Sequence, residues 1–299
     1  MFAITGATGN TGGVVAEQLL AGGAKVRVIG RDAGRLARFV QKGAEAFAAD
    51  MTDAAALTRA FSGASAVYAI IPPNISTNDV RAYQDRVSDA LASALQKASI
   101  SHAVTLSSVG ADKSEKVGPV IGLHNLEEKL NAIAGLNVIH LRAGYFMENL
   151  LPQVDVIRNF GMVGGPVRAD LPLPMIATRD IGAAAAELLK SGFSGKQSRE
   201  LLGQRDVNYK EVASVIGRSI GKPELTYVLL PAPQLKPALM QMGMSSNMAD
   251  VLLEMADALN SGYMKALEPR SAANTTPTSI ETFVNEEFVP RFLGRAAKA

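Results

Sequence analysis

The 299 residues read as an α/β protein, a doubly wound parallel sheet carrying a smaller, mostly helical C-terminal lobe. Three observations predict this. Up to Tyr145, short β-branched runs alternate with longer helix-patterned segments, the pattern of βαβ units. The first such run ends in a glycine-rich turn that opens directly into a helical segment. Beyond Tyr145 the rhythm breaks into a stretch punctuated by proline and glycine.

In chain order, strands are expected at Phe2–Thr5, Lys25–Ile29, Ala44–Ala48, Ala66–Ile71, Ala103–Ser107 and Asn137–Arg142. Several are apolar without alternation, as strands covered by helices on both faces are. Helical periodicity occupies Gly13–Ala21, Ala54–Phe61, Asp79–Ala98 and Leu123–Ala134, with Asp53 and Asn78 as N-caps. Pro152, Pro166, Pro172 and Pro174, with Gly161, Gly164 and Gly165, then open a second lobe. Asp180 reads as the N-cap of a helix through Leu189, and Arg199–Leu202 as a further strand of the main sheet. The expected division is 1–150, with 176–203 returning to it, against a lobe of 151–175 and 204–299. Helices are expected in that lobe near Lys210–Ile220, Pro233–Met242, Ala249–Leu259 and Ser279–Phe292. The Met-rich run Met240, Met242, Met244, Met248 and Met255 reads as adaptable core packing or, alternatively, a malleable pocket lining.

Composition narrows the function classes. With 47% hydrophobic and 19% charged residues, the chain is ordinary globular protein. Thirty basic against 28 acidic residues leave a formal charge of +2, too weak a field to gather nucleic acid or anionic membrane. The absence of cysteine excludes disulfides, thiolate metal sites and a cysteine nucleophile. His102, His124 and His140 have no metal-ligand spacing, so no metal is assigned. No apolar run approaches the roughly 18 to 20 residues that cross a bilayer. The opening Met1-Phe2-Ala3-Ile4-Thr5-Gly6 carries no recognisable leader, and cytoplasmic residence is the expectation.

Gly6-Ala7-Thr8-Gly9-Asn10-Thr11-Gly12 has the spacing GxxGxxG between the first strand and the first helix. The first glycine permits a tight turn, the second lets backbone approach phosphate, and the third allows close helix–strand packing. The helix N-terminus then faces the negative charge, so this is the fingerprint of a Rossmann-type sheet holding a dinucleotide pyrophosphate. A site for NAD(H) places an acid at the end of the second strand; here that strand runs into Gly30-Arg31. Arginine there pairs with a 2′-phosphate and stacks on adenine, which favours NADP(H) over NAD(H). Asp32 is the competing ribose partner, or else the cap of a helix Ala33–Val40. Arg31, Arg35 and Arg38 together suit a 2′-phosphate better than a nucleic-acid groove. Asp50 and Met51 border the adenine, Asp50 alternatively capping the next helix, while Ile71, Pro72 and Pro73 wall the cofactor channel.

The turn Thr5–Gly12, Leu106-Ser107-Ser108, His124 with Glu128, Leu141 to Asn149 and Ala177 to Gly182 together resemble the NmrA-like, atypical short-chain dehydrogenase/reductase group. That group includes isoflavone-reductase-like enzymes, triphenylmethane reductase and NADPH-dependent quinone oxidoreductases. The resemblance covers the chain well to about residue 190 and implies NADPH-linked reduction, although functions on one fold are diverse. The Tyr-xxx-Lys pair of typical short-chain dehydrogenases is missing. By resemblance, His124 occupies the slot where relatives carry a lysine or histidine. Glu128, one helical turn on, lies on the same face and is a candidate to orient the imidazole. The alternative makes His124 a polar residue near a helix start and Glu128 part of a solvated Glu127-Glu128-Lys129 run. Ser107 and Ser108 end the fifth strand where open α/β sheets bind ligands, and a cofactor-side role is favoured over simple strand termination. Resemblance and topology put Tyr145, Phe146 and Asn149 near the nicotinamide and the pocket mouth, or in packing between lobes.

Two functions follow. One is an NADPH-dependent reductase of a small apolar acceptor such as a quinone, enone or dye, which manages without a dedicated protein acid if the acceptor is delocalised. The other is a non-catalytic NADP(H) sensor acting through a protein partner. A homodimer and a regulatory protein partner both stay open.

Overall fold

A computed structural model describes residues 1–295. Its first half runs β1 (Phe2–Thr5), α1 (Asn10–Ala21), β2 (Val26–Gly30), α2 (Ala33–Val40), β3 (Glu45–Ala48) and α3 (Ala54–Phe61). It continues through β4 (Ala66–Ala69), α4 (Val80–Lys97), β5 (His102–Ser108), α5 (Val120–Asn131) and β6 (Asn137–Ala143). These strands are parallel and join one seven-stranded sheet of order β3-β2-β1-β4-β5-β6 plus one edge strand. Chain direction across the sheet reverses between β1 and β4, and the crevice at their C-terminal ends is where such sheets bind ligands. The fold is the Rossmann-like α/β sandwich expected.

After β6 come β7 (Tyr145–Phe146), a 3-10 turn Met147–Leu150, α6 (Gln153–Phe160), β8 (Val163–Gly165) and β9 (Leu173–Ile176). Then α7 (Thr178–Ser191) packs against α1, and β10 (Lys196–Leu201) adds the seventh strand parallel to β6. Glycine makes the α1–α7 contact close, since a Cβ on Gly182 would stand 2.6 Å from Val14 Cβ. The remainder is β11 (Asp206–Val207), α8 (Tyr209–Ser219), β12 (Tyr227–Leu229), α9 (Ala232–Gln241) and α10 (Ser246–Asn260). It ends in α11 (Ile280–Phe283), a π-helical segment Val284–Phe288 and α12 (Val289–Phe292).

Three apolar clusters hold these layers. One lies under α1, α2 and α7 and includes Leu36, Phe39 and Tyr68; a second lies under α3, α4 and α5 on the opposite face and includes Phe61 and Leu91. The third is built mostly from residues after 145, with Ile216, Phe283 and Phe288, and also takes in Val120 and Ile121 of α5. Each fully buried large side chain stabilises the fold by about 1.5 to 3 kcal/mol relative to exposure.

Local chemistry explains where elements start, and corrects several expectations. Asp32 caps α2 by accepting from Gly34 N at 2.8 Å, and Asp53 caps α3 through Ala56 N at 2.9 Å. Asp79, not Asn78, caps α4, because its carboxylate reaches Ala82 N at 2.9 Å. Asp180 is not an N-cap: α7 already begins at Thr178, and the buried Asp180 carboxylate accepts from Thr278 N (2.9 Å) and Oγ1 (2.7 Å). That bond ties the C-terminal segment back onto the sheet domain. The methionines divide: Met240 and Met242 are exposed on and after α9, which buries no residue, whereas Met248 packs with Val80 and Val251, Met255 packs against the third cluster, and both line the cavity.

Candidate functional site

The phosphate turn is shaped by steric exclusion. Gly6 adopts φ +63°, and a Cβ there would fall 2.1 Å from Ile70 Cδ1. A Cβ on Gly12 would lie 2.5 Å from the Gly6 carbonyl oxygen, so both positions require glycine. Gly9 N donates to Gly6 O at 2.9 Å and closes the turn. Ala7, Thr11 and Gly12 are buried and hold its shape, while Thr8, Gly9 and Asn10 remain accessible. Gly9 stands at the N-cap of α1 without any side-chain cap, leaving first-turn N–H groups for an external acceptor.

Cations flank that turn. Arg31 is exposed just past β2 and makes no ion pair among the described residues. Arg38 reaches back over α1, its guanidinium 3.1 Å from where a Gly13 Cβ would be. Asp50 accepts from Thr52 Oγ1 (2.6 Å) and Thr52 N (2.8 Å), which holds its carboxyl below the ordinary range with a smaller contribution from Arg31. Met51 is buried beside it. An uncapped helix N-terminus, a glycine-shaped cradle and unpaired arginine fit a phosphorylated dinucleotide such as NADP(H).

From the turn, one mostly apolar cavity of about 940 Å³ runs along the C-terminal ends of β1, β4, β5 and β6 to the second lobe. Its sheet side is Gly9 to Thr11, Ile71-Pro72-Pro73, Ser107, Ser108, Tyr145, Phe146 and Asn149. Its far side is Leu171 to Pro174, Met248, Leu252, Met255 and Met264. Asp50, Met51 and Arg31 lie outside its lining. A strap through residues 265–270 closes the edge. Glu200, buried at the end of β10, accepts from Leu267 N and Glu268 N, both at 2.9 Å. Arg270 donates to Gly203 O at 2.6 Å and pairs with Asp206.

The expected His124–Glu128 partnership is not formed. Glu128 is exposed, and His124 Nδ1 lies 2.9 Å from Ala111 O, which can only accept, so Nδ1 carries a proton in this bond. Neither residue lines the cavity. Nor is 127–129 a solvated run, because Glu127 is only 4% exposed. Its carboxylate takes Arg142 Nη2 at 2.6 Å, Arg142 Nε at 3.1 Å and Ser107 Oγ at 2.5 Å. Ser107 therefore spends its proton on Glu127 and presents only lone pairs to the cavity, while Ser108 donates to Val109 O. The pairing raises the Arg142 pKa further. The missed signal was phase: Glu127 stands seven residues after buried Val120, in the inward stripe of α5.

Sequence reasoning also missed Gln84, Tyr209 and the strap. Gln84 lines the cavity, with its carboxamide resting over Gly122 and Nε2 donating to Pro119 O at 2.8 Å. Tyr209, from the second lobe, donates to Tyr145 Oη at 3.0 Å. Among the described residues no group of three or more His, Cys, Asp or Glu gathers as a metal set, and no helix is long and apolar enough to cross a membrane.

The sequence matches the NmrA-like family over residues 1–287, and the chain belongs to that family. It is 26% identical over 257 residues to an NAD(P)H azoreductase from Xenophilus azovorans, covering 85% of this chain and 86% of that protein. It is 28% identical over 260 residues to quinone oxidoreductase 2 from Escherichia coli (strain K12), again covering 85% and 86%. In three dimensions it resembles the triphenylmethane reductase of Citrobacter sp. complexed with NADP(H), with a TM-score of 0.78 and 18% identity over 94% of this chain and 98% of that one.

Proposed function

We propose that this chain is an NADPH-dependent oxidoreductase that reduces a small, apolar, conjugated acceptor of the quinone, enone or dye type. The observation that carries this reading is the continuity of the cavity from the phosphate turn to the methionine-rich wall of the second lobe. The names of the azoreductase and quinone oxidoreductase relatives support it. Gly9, Asn10 and Thr11 would hold the pyrophosphate at the start of α1, and Arg31, assisted by Arg38, would hold the 2′-phosphate. Arg31 in the acidic residue's place is the reason for preferring NADP(H) over NAD(H).

NADPH, when bound, supplies a hydride. The protein's share is alignment and exclusion of water. Ile71-Pro72-Pro73 and Phe146 flank the channel, and Ser107, held by Glu127, offers an acceptor to an amide N–H at the sheet edge. Leu252, Met255 and Met264 form a compliant apolar face suited to flat aromatic acceptors. His124 and Glu128 have no part in this reading.

The test is NADPH oxidation against a panel of quinones, enones, azo dyes and triarylmethane dyes, alongside NADH. Turnover with at least one acceptor, with NADPH preferred, is the expected result. Tight NADPH binding without turnover of any acceptor would leave the sensor function in its place.

A further inference from the structure

Three tyrosines meet where the second lobe touches the sheet. Tyr145 opens β7 directly after Gly144, and β7 pairs with β9 through Tyr145 and Met175. A Cβ on Gly144 would stand 2.2 Å from Pro174 O, so glycine permits the approach that sets Tyr145 in the cavity wall. Tyr209 begins α8, whose start is fixed by the Asn208 cap on Glu211 N at 3.0 Å. Tyr227 stacks on Tyr209 with ring centroids 4.5 Å apart and gives its own proton to Val167 O at 2.7 Å. The Tyr209 hydroxyl donates to Tyr145 Oη at 3.0 Å. The Tyr209 proton thus points toward the cavity, while that of Tyr227 is spent on Val167 O. Among the described residues no hydrogen bond leaves the Tyr145 hydroxyl within bonding geometry, and its other polar neighbour is Asn149, which shares the cavity lining and opposes the larger effect of burial on its pKa.

We propose that Tyr145 is the hydrogen-bond donor to a carbonyl or quinone oxygen of the acceptor, and that Tyr209 is the positioning residue that turns its proton into the cavity. This rests on the reductase reading and narrows it to oxygen-bearing acceptors. Hydride addition to a carbonyl forms a C–H bond, breaks the C=O π bond and leaves the electron pair on oxygen. A quinone takes the same two electrons and becomes the hydroquinone monoanion, while the nicotinamide is oxidised. Tyr145 donates to the negative oxygen with its O–H bond intact, and one proton from water completes the product. Burial raises the Tyr145 pKa, so the phenol stays a donor through the neutral and mildly alkaline range. A hydrogen bond to an anion is stronger than one to the neutral carbonyl, so the contact favours the transition state over the bound substrate.

The experiment compares full-length wild type, Tyr145→Phe and Tyr209→Phe with NADPH on a naphthoquinone and on a cationic triarylmethane dye that carries no oxygen. The quinone-to-dye ratio of kcat/KM should fall about 30-fold in Tyr145→Phe and about 5-fold in Tyr209→Phe, mainly through kcat on the quinone. A ratio that does not move, as general damage to the fold would give, overturns the inference. A second readout needs no turnover: 4-nitrophenolate binding to the NADP⁺-loaded protein, followed by absorbance. Tyr145→Phe should weaken it about 10-fold, and an unchanged affinity overturns the inference. If wild type reduces both acceptors without a Tyr145-dependent ratio, the reductase reading stands and this inference falls. If nothing is reduced yet phenolate binding depends on Tyr145, the reductase reading falls and the oxygen site stands.

Discussion

The two walls of the cavity are built by different physics. On the sheet side, the phosphate turn is seven consecutive residues whose shape follows from backbone sterics: Gly6 at φ +63°, Gly12 against the Gly6 carbonyl, and a helix start with no side-chain cap. On the lobe side, the wall is assembled from Leu171 to Pro174, α10 and the 265–270 strap, segments brought together by Asp180–Thr278, Glu200–Leu267 and Tyr209–Tyr145 bonds. The first wall presents the uncapped backbone N–H groups at the start of α1. The second is compliant and apolar. On the proposed function, cofactor choice rests on the turn and Arg31 while acceptor choice rests on α10 and Tyr145, so a change in one set should leave the other's ligand alone.

That separation can be broken at four points, in falling order of effect. Glu127→Ala leaves Arg142 half-buried without its partner and frees Ser107, which should cost about 3 to 5 kcal/mol of stability in urea unfolding and disturb both walls together. His140 tests the sheet alone. It sits 1% exposed between Thr105 and Asn131, and burial lowers its pKa to about 4 despite the opposing pull of Glu127. Between about pH 6.5 and 4 the unfolded chain binds a proton that the native ring refuses. Stability present above pH 6.5 should therefore fall by about 3 kcal/mol as pH drops through that window. In His140→Leu this part of the pH dependence should vanish.

Arg31→Glu should weaken NADPH by about 2 kcal/mol in a fluorescence titration, affect NADH far less, and leave acceptor preference unchanged. An equal loss for both cofactors would remove Arg31 from the 2′-phosphate. Met255→Leu is the mirror experiment. It should change stability by less than about 1.5 kcal/mol and leave NADPH affinity as it was, while altering the ranking of acceptors in the panel. A change in cofactor affinity instead would mean that the two walls communicate.

What was legible in the sequence divided along the same line. Gly6, Gly12 and the Asp32 cap were legible because each depends on neighbours within a few positions. Glu127 was hidden because three charged residues in a row look solvated, and the helix expected from Leu123 left out Val120 and Ile121, the buried residues that mark its inward stripe. His124 and Glu128 have suitable spacing, yet spacing cannot say which way the helix face points. The Tyr145–Tyr209 bond joins residues 64 positions apart, beyond the reach of any local pattern.

Read from residues alone, the chain is committed to its βα alternation, its sheet and its phosphate turn, because strand periodicity and glycine sterics act over a few residues. Which carboxylate is buried, where hydroxyl protons point and what lines the far wall were settled only when α5 took its rotation and the second lobe docked. Those outcomes depend on long-range packing, in which a side chain's chemistry is set by neighbours the chain meets only after folding.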